Sequence, residues 1–246
     1  MIPHNKPTLG QEEKNAALRV INSNWLAQGK EVAAFEKEFC DYIGLPNGHA
    51  AAVSNGTAAL YLALWALGAK NKLCAFPAYV CSALRNAVSW AGAKEVVIDT
   101  AKGSPNIDID LLNKARPDIA ILPHMLGLPI EGMKEVDPKI KIIEDCAQSL
   151  GAKLNGIPTG LLGTLGIFSF YATKLMTSAG EGGMIISKDK KLIEKIKDYL
   201  VFDMRKDQKP RFNFQLTDLN ASIGIVQLKK LPSFLKRRAA IFITYK

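Results

Sequence analysis

The sequence predicts an α/β fold: a mostly parallel central sheet with helices on both faces, in three layers. Two observations lead there. Short β-branched or apolar runs recur along the chain, each followed by a stretch with helical periodicity. The runs are also apolar throughout rather than alternating, which is the pattern of strands buried on both faces and hence of a parallel sheet.

The first regular signal is helical. Val32, Phe35, Phe39 and Ile43 fall on one face of a helix, with charged residues between them. Strands are predicted at Ala50–Val53, Leu73–Phe76, Val96–Ile98, Ile119–Leu122, Ile140–Glu144, Gly166–Phe170 and Met184–Ser187. Between and after them, helices are predicted at Thr57–Leu67, Val80–Ala91, Ile109–Lys114, Lys190–Leu200 and Leu216–Lys229. The polar stretch Arg205–Arg211, with Pro210, reads as a loop entering the last of these. Residues 239–246 are apolar and helical in character and end without a cap. The expected organisation is one large domain over residues 1–230, with an N-terminal arm at 1–30, and the start of a truncated smaller domain at 231–246.

Composition narrows the function. Of 246 residues, 48% are apolar and 22% charged, which suits a globular chain with a sizeable core and not a disordered one. The formal charge of +9 is spread out. Its basic stretches, Lys188–Lys197 and Lys229–Arg238, carry apolar residues at helical spacing and read as solvated helix faces. No aromatic residues interleave with them, so a nucleic-acid surface is disfavoured, while the positive field suits anionic ligands. Cys40, Cys74, Cys81 and Cys146 show no C-x-x-C spacing and there are three histidines, which disfavours zinc and suggests reduced, mostly buried thiols in a cytoplasmic protein. The N-terminal Met1–Pro7 has no apolar core of a signal peptide, and Ala58–Leu67 is too short to span a bilayer.

Ligands of parallel sheets bind beyond the carboxyl ends of the strands, so the residues there carry the chemistry. Ser54-Asn55-Gly56-Thr57 follows the first strand. It reads as a helix N-cap, or as a turn whose free N–H groups meet a phosphate. Asp145 closes the fifth strand. It reads as a helix cap or an arginine partner, or as a carboxylate that keeps a pyridinium nitrogen protonated. Lys174 follows the sixth strand in Phe168-Ser169-Phe170-Tyr171-Ala172-Thr173-Lys174, before Gly180-Glu181-Gly182-Gly183. It is a surface lysine, or a desolvated amine that is nucleophilic toward an aldehyde. No G-x-G-x-x-G follows a strand, and no P-loop motif exists in the sequence.

Taken in order, these segments resemble the DegT/DnrJ/StrS family of pyridoxal-phosphate (PLP) sugar aminotransferases, which have the aspartate-aminotransferase type I fold. The resemblance runs from Ile2-Pro3 and Lys6-Pro7 through Gly29-x-x-Val32-x-x-Phe35-Glu36, Asn55–Leu60, Pro77-Ala78-Tyr79 and Gly92-Ala93. It continues through Glu144–Ala152, Phe168–Gly183, Asn213-x-x-x-Thr217-Asp218-Leu219-Asn220-Ala221, Gly224 and Gln227-Leu228. It implies PLP as cofactor, bound covalently as a Schiff base by Lys174, which also shuttles the substrate proton. Asp145 is implied on the ring nitrogen, Gln148 near the ring and its 3-hydroxyl, and Gly56, Thr57 and Ser169 on the phosphate. Asn213 is implied to reach the phosphate of a neighbouring subunit, in a homodimer with shared sites. Where the family often places an aromatic ring over the cofactor, this chain has Cys81, so either its sulfur packs against the cofactor or Tyr79 substitutes; the thiol is read as buried and structural, with no reactive role. The implied reaction moves an amino group from an amino acid, typically glutamate, to a keto-sugar nucleotide. Some relatives carry histidine at the lysine position and dehydrate instead; Lys174 favours transamination. The alternative is a PLP-binding but catalytically incomplete fragment, or a split subunit that needs a partner.

Overall fold

The computed structural model describes residues 5–245, so Ile2-Pro3, where the resemblance begins, lies outside the described residues. Helices α1 (Gln11–Asn22) and α2 (Lys30–Ile43) lead into β1 (Ala50–Val53) and α3 (Gly56–Ala66). Then come β2 (Leu73–Pro77), α4 (Ala83–Trp90), β3 (Lys94–Ile98), α5 (Ile109–Ala115), β4 (Ile119–Pro123) and β5 (Lys141–Asp145). A small hairpin, β6 (Lys153–Leu154) and β7 (Ile157–Pro158), precedes β8 (Leu165–Ser169), β9 (Gly183–Ile186), α6 (Lys190–Leu200) and α7 (Asp218–Thr244).

The main sheet has the order β1-β9-β8-β5-β4-β2-β3. Neighbours among β2, β3, β4, β5 and β8 pair in parallel, and β9 runs antiparallel to both β1 and β8. Strands β1, β5 and β8 therefore point the same way, and their carboxyl ends share one rim of the sheet. Gly183 opens β9 at that rim, opposite both Val53 and Ser169.

Side-chain alternation divides the core between the faces. Ala51, Val53, Ile167 and Ile185 pack under α3, α4 and α6, whereas Ala50, Ala52, Phe168, Met184 and Ile186 pack under α2 and α7. On the second face Phe35, Phe39, Phe168 and Phe170 form a buried aromatic cluster with ring centroids 5.0–6.3 Å apart. The predicted three layers are present, and each predicted strand is found to within a few residues.

Three elements differ from expectation. Helix α1 was not anticipated. Helix α7 continues past Lys229 and through Pro232 to Thr244; proline removes one backbone donor, and beyond it Leu235 still packs on the core while residues 236–245 are exposed. The β6–β7 hairpin was missed because each strand has only two residues, although its turn, Asn155-Gly156, has both φ angles positive (50° and 81°) as a tight hairpin turn demands. Among the described residues, no helix is long and apolar enough to cross a membrane.

Glu13 ties α1 to α7. Its buried carboxylate accepts from Gly10 N–H (2.7 Å), Gln227 Nε2 (2.8 Å) and Lys230 Nζ (2.8 and 3.0 Å). Burial alone pushes its pKa up, but Lys230, Gln227 and the backbone donors outweigh that and bring it down to about 2 from 4.5. A depressed folded-state pKa gives stability that is present above the unfolded value and lost as the pH falls through the folded one. Urea midpoints measured from pH 5 to pH 2 should fall less for Glu13→Gln than for the wild type. Parallel curves would refute this assignment.

Candidate active site

The site grows from three strand exits on one rim. Beyond β1, the Asn55 side chain accepts from Ala58 N–H (2.8 Å) and caps α3. The first-turn N–H groups of Gly56 and Thr57 belong to the set that a helix cannot satisfy internally, and both residues line a cavity together with Ser169 at the end of β8. Close approach demands glycine here. A Cβ on Gly56 would lie 2.9 Å from Ser169 Cβ, and one on Gly183 would lie 2.6 Å from the Asn55 carbonyl oxygen. The N-cap reading of the Ser54–Thr57 segment is the one found, with Asn55 as the cap.

Asp145 ends β5 and is buried. One carboxylate oxygen accepts from Ala147 N–H (2.9 Å). Burial raises its pKa, against the Ala147 hydrogen bond, the charge of Lys174 and the His124 ring. Lys174 lies in the loop after β8, half-buried. That loop is stitched at many points. Phe170 N–H donates to Gly182 O (2.8 Å), Ser178 N–H to Phe170 O (3.0 Å) and Ala172 N–H to Gly180 O (3.0 Å). From α7, Asn220 Nδ2 donates to Ser178 O (3.0 Å) and Glu181 O (2.8 Å), and Ser178 Oγ returns a bond to Asn220 O (2.6 Å).

Gly56, Thr57, Cys81, Asp145, Ser169 and Lys174 line one cavity of about 590 Å³. A second cavity of about 620 Å³ shares Ala147, Ser169 and Lys174 with it and contains Gln148. Gln148 is fixed there: its Oε1 accepts from Leu126 N–H (3.0 Å). Asn213 is exposed and lines neither of these cavities, although its neighbour Phe214 lines the first. Cys81 is exposed to the cavity, not a buried thiol as expected, because it lies ahead of α4 at the open rim, whereas Cys40, Cys74 and Cys146 are buried. Tyr79 is exposed and does not line the first cavity.

Sequence reasoning passed over a group just below the rim. His124, Glu144 and Cys146 offer ligand atoms within 4.8 Å of one another, yet hydrogen bonds occupy them. His124 Nδ1 accepts from Ile130 N–H (3.0 Å), so Nε2 carries the proton and donates to Glu144 (2.9 Å). Glu144 also accepts from Gly160 (2.8 Å), Leu162 (2.6 Å) and Gly163 (2.6 Å) N–H groups. An acid inside an otherwise apolar strand run was the signal for it.

The family model of the DegT/DnrJ/EryC1/StrS aminotransferases matches residues 7–246. The chain belongs to that family. It is 34% identical to the uncharacterized protein MJ1066 of Methanocaldococcus jannaschii, over 99% of this chain and 68% of that one. It is 32% identical to a GDP-perosamine synthase of Caulobacter vibrioides, over 96% of this chain and 66% of the relative. Among solved structures, the putative sugar aminotransferase Spr1654 of Streptococcus pneumoniae in its PMP form superposes with a TM-score of 0.93 at 26% identity, covering 99% of this chain and 69% of that one. The chain thus spans about two thirds of the length of the relatives it matches.

A carboxyl group whose pKa rises on folding destabilises the folded state once ionised: stability is greatest below the unfolded value and declines as the pH rises through the folded value. In protein without cofactor, Asp145→Asn should therefore raise the melting temperature at pH 7, and its advantage should shrink as the pH approaches 3.8. An equal advantage at both pH values would mean that charge burial is not the cause.

Proposed function

We propose that this chain carries the PLP site of a sugar aminotransferase that transfers an amino group from an amino acid, glutamate, to a keto-sugar nucleotide. The observation that carries the reading is the shared cavity: Asp145, Lys174 and the Gly56-Thr57 turn face one space. The residues fit the cofactor. Gly56, Thr57 and Ser169 line the same cavity, and the lack of a side chain at Gly56 lets the first turn of α3 approach Ser169 closely. The Asp145 carboxyl is buried at the cavity wall and accepts from the Ala147 N–H, a setting that suits a cationic N–H partner.

When bound, PLP supplies an aldehyde that captures amines and a ring that accepts electrons. In this reading the Gly56 and Thr57 N–H groups and the Ser169 hydroxyl hold the phosphate, helped by the α3 dipole. Asp145 holds a proton on the ring nitrogen. Lys174 holds the cofactor covalently and moves a proton at the substrate carbon. Gln148, oriented by the Leu126 N–H at the edge of the neighbouring cavity, would reach toward the ring's oxygen substituent. Cys81 covers part of the ring, and Asn213, exposed beyond its own cavities, serves the phosphate of a second copy in a homodimer. The printed names of relatives, a GDP-perosamine synthase among them, support a nucleotide-linked sugar as acceptor.

Incubation with PLP followed by borohydride should add the reduced cofactor's mass to the peptide containing Lys174. Lys174→Ala should lose that adduct while keeping its fold; an unchanged adduct would sink the assignment. Adding glutamate to the loaded protein should convert its absorbance from the PLP to the PMP form in a single turnover. Loading without that conversion would favour a chain that binds the cofactor without turnover.

A further inference from the structure

The second cavity carries a charge that the cofactor site does not use. On α7, Ile225, Leu228, Leu231 and Leu235 follow the spacing of one helix face, and the next position on that face is Arg238. The register is anchored by a tight contact. Gly151, at φ +90°, lies so close to Leu235 that a Cβ there would meet Leu235 Cδ1 at 2.6 Å. Arg238, about one turn further on, is thereby brought to the cavity that contains Gln148, Ser169 and Lys174.

Earlier in the same basic run the charges are matched: Lys229 pairs with Glu38 (3.4 Å) and Lys230 with Glu12 and Glu13 (2.6 and 2.8 Å). Neither Arg237 nor Arg238 has an ion pair among the described residues. Arg238 and Lys174 also border an adjoining cleft of about 190 Å³ together with Lys6 and Arg237. Among the described residues, no aspartate or glutamate lines either space. Several cations converging on a concave surface without a carboxylate to offset them make an anion site, and a guanidinium is the cation whose fork matches two oxygens at once.

We infer that Arg238 forms an oxyanion subsite for the substrate beside the proposed PLP site, taking either the phosphate oxygens of the sugar nucleotide or the carboxylate of the amino donor. The inference rests on the aminotransferase reading, since it assigns the cofactor to the first cavity and the substrate to the second. The basic run at Lys229–Arg238, expected as a solvated helix face, is in this view solvated on one side and a binding surface on the other.

The test uses the full chain loaded with PLP, so that the Gly56-Thr57 cradle is not open to the probe. Binding of inorganic pyrophosphate and of glutarate is followed by calorimetry in wild type, Arg238→Ala and Lys102→Ala, the last removing an exposed charge elsewhere. Melting temperatures confirm that the variants are folded. Arg238→Ala should weaken one probe by about tenfold or more, the loss of a charge-assisted pair, with Lys102→Ala unchanged. Loss of pyrophosphate binding assigns the subsite to the nucleotide, and loss of glutarate binding assigns it to the donor. Absent binding, binding indifferent to Arg238, or an equal loss in Lys102→Ala overturns the subsite alone when borohydride still fixes the cofactor at Lys174. Failure of that fixation overturns the aminotransferase reading and the subsite with it.

Discussion

A fully buried carboxylate is the constraint on which the rest of this architecture depends. Glu144 has no exposure to water, and such a charge persists only when its oxygens are fully engaged. Three backbone N–H groups from residues 160–163 and the His124 ring supply that engagement. The result is a fixed joint between the exit of β4, the end of β5 and the turn ahead of β8. That turn presses on the sheet so closely that a Cβ on Gly166 would lie 2.6 Å from Gly160 Cα. Asp145 is the next residue after Glu144, so its position at the rim is inherited from the joint.

The direction of the strands does the remaining work. Because β1, β5 and β8 run alike, a glycine turn, a carboxylate and a lysine loop arrive at one edge from distant parts of the chain. Antiparallel β9 returns the chain from that edge, and its first residue must be glycine to pass Asn55. Helix α7 then closes the arrangement from the other face. Asn220 clamps the loop that carries Lys174, and Gln227 reaches both Thr177 N–H and the Thr8 carbonyl.

Much of this was legible in the sequence. Apolar runs such as Ile119–Leu122 mark strands because burial on both faces removes every polar position, and the order of segments around Gly56, Asp145 and Lys174 marks the family. What stayed hidden depends on contacts between distant residues. Asn220 and Gln227 fall in segments that carry the resemblance, yet nothing local shows what they bond, since those partners lie some forty or more positions away. Cys81 was expected beside the cofactor as a buried thiol, whereas its exposure follows from its place just ahead of α4. The length of α7 was underestimated at Pro232, a local helix breaker that the helix runs through.

The two outer strands of the sheet solve a shared problem by different means. An unpaired strand invites another chain to add itself. Along β1 the open donors are already taken: Ala52 N–H by the Glu36 carboxylate (2.9 Å) and Ser54 N–H by Phe214 O (2.8 Å). At the opposite margin β3 is left bare but carries Lys94 and Glu95, the latter paired with Arg85. One border is sealed by the fold and the other is guarded by charge, so the chain keeps a wide, apolar sheet without offering a template for aggregation.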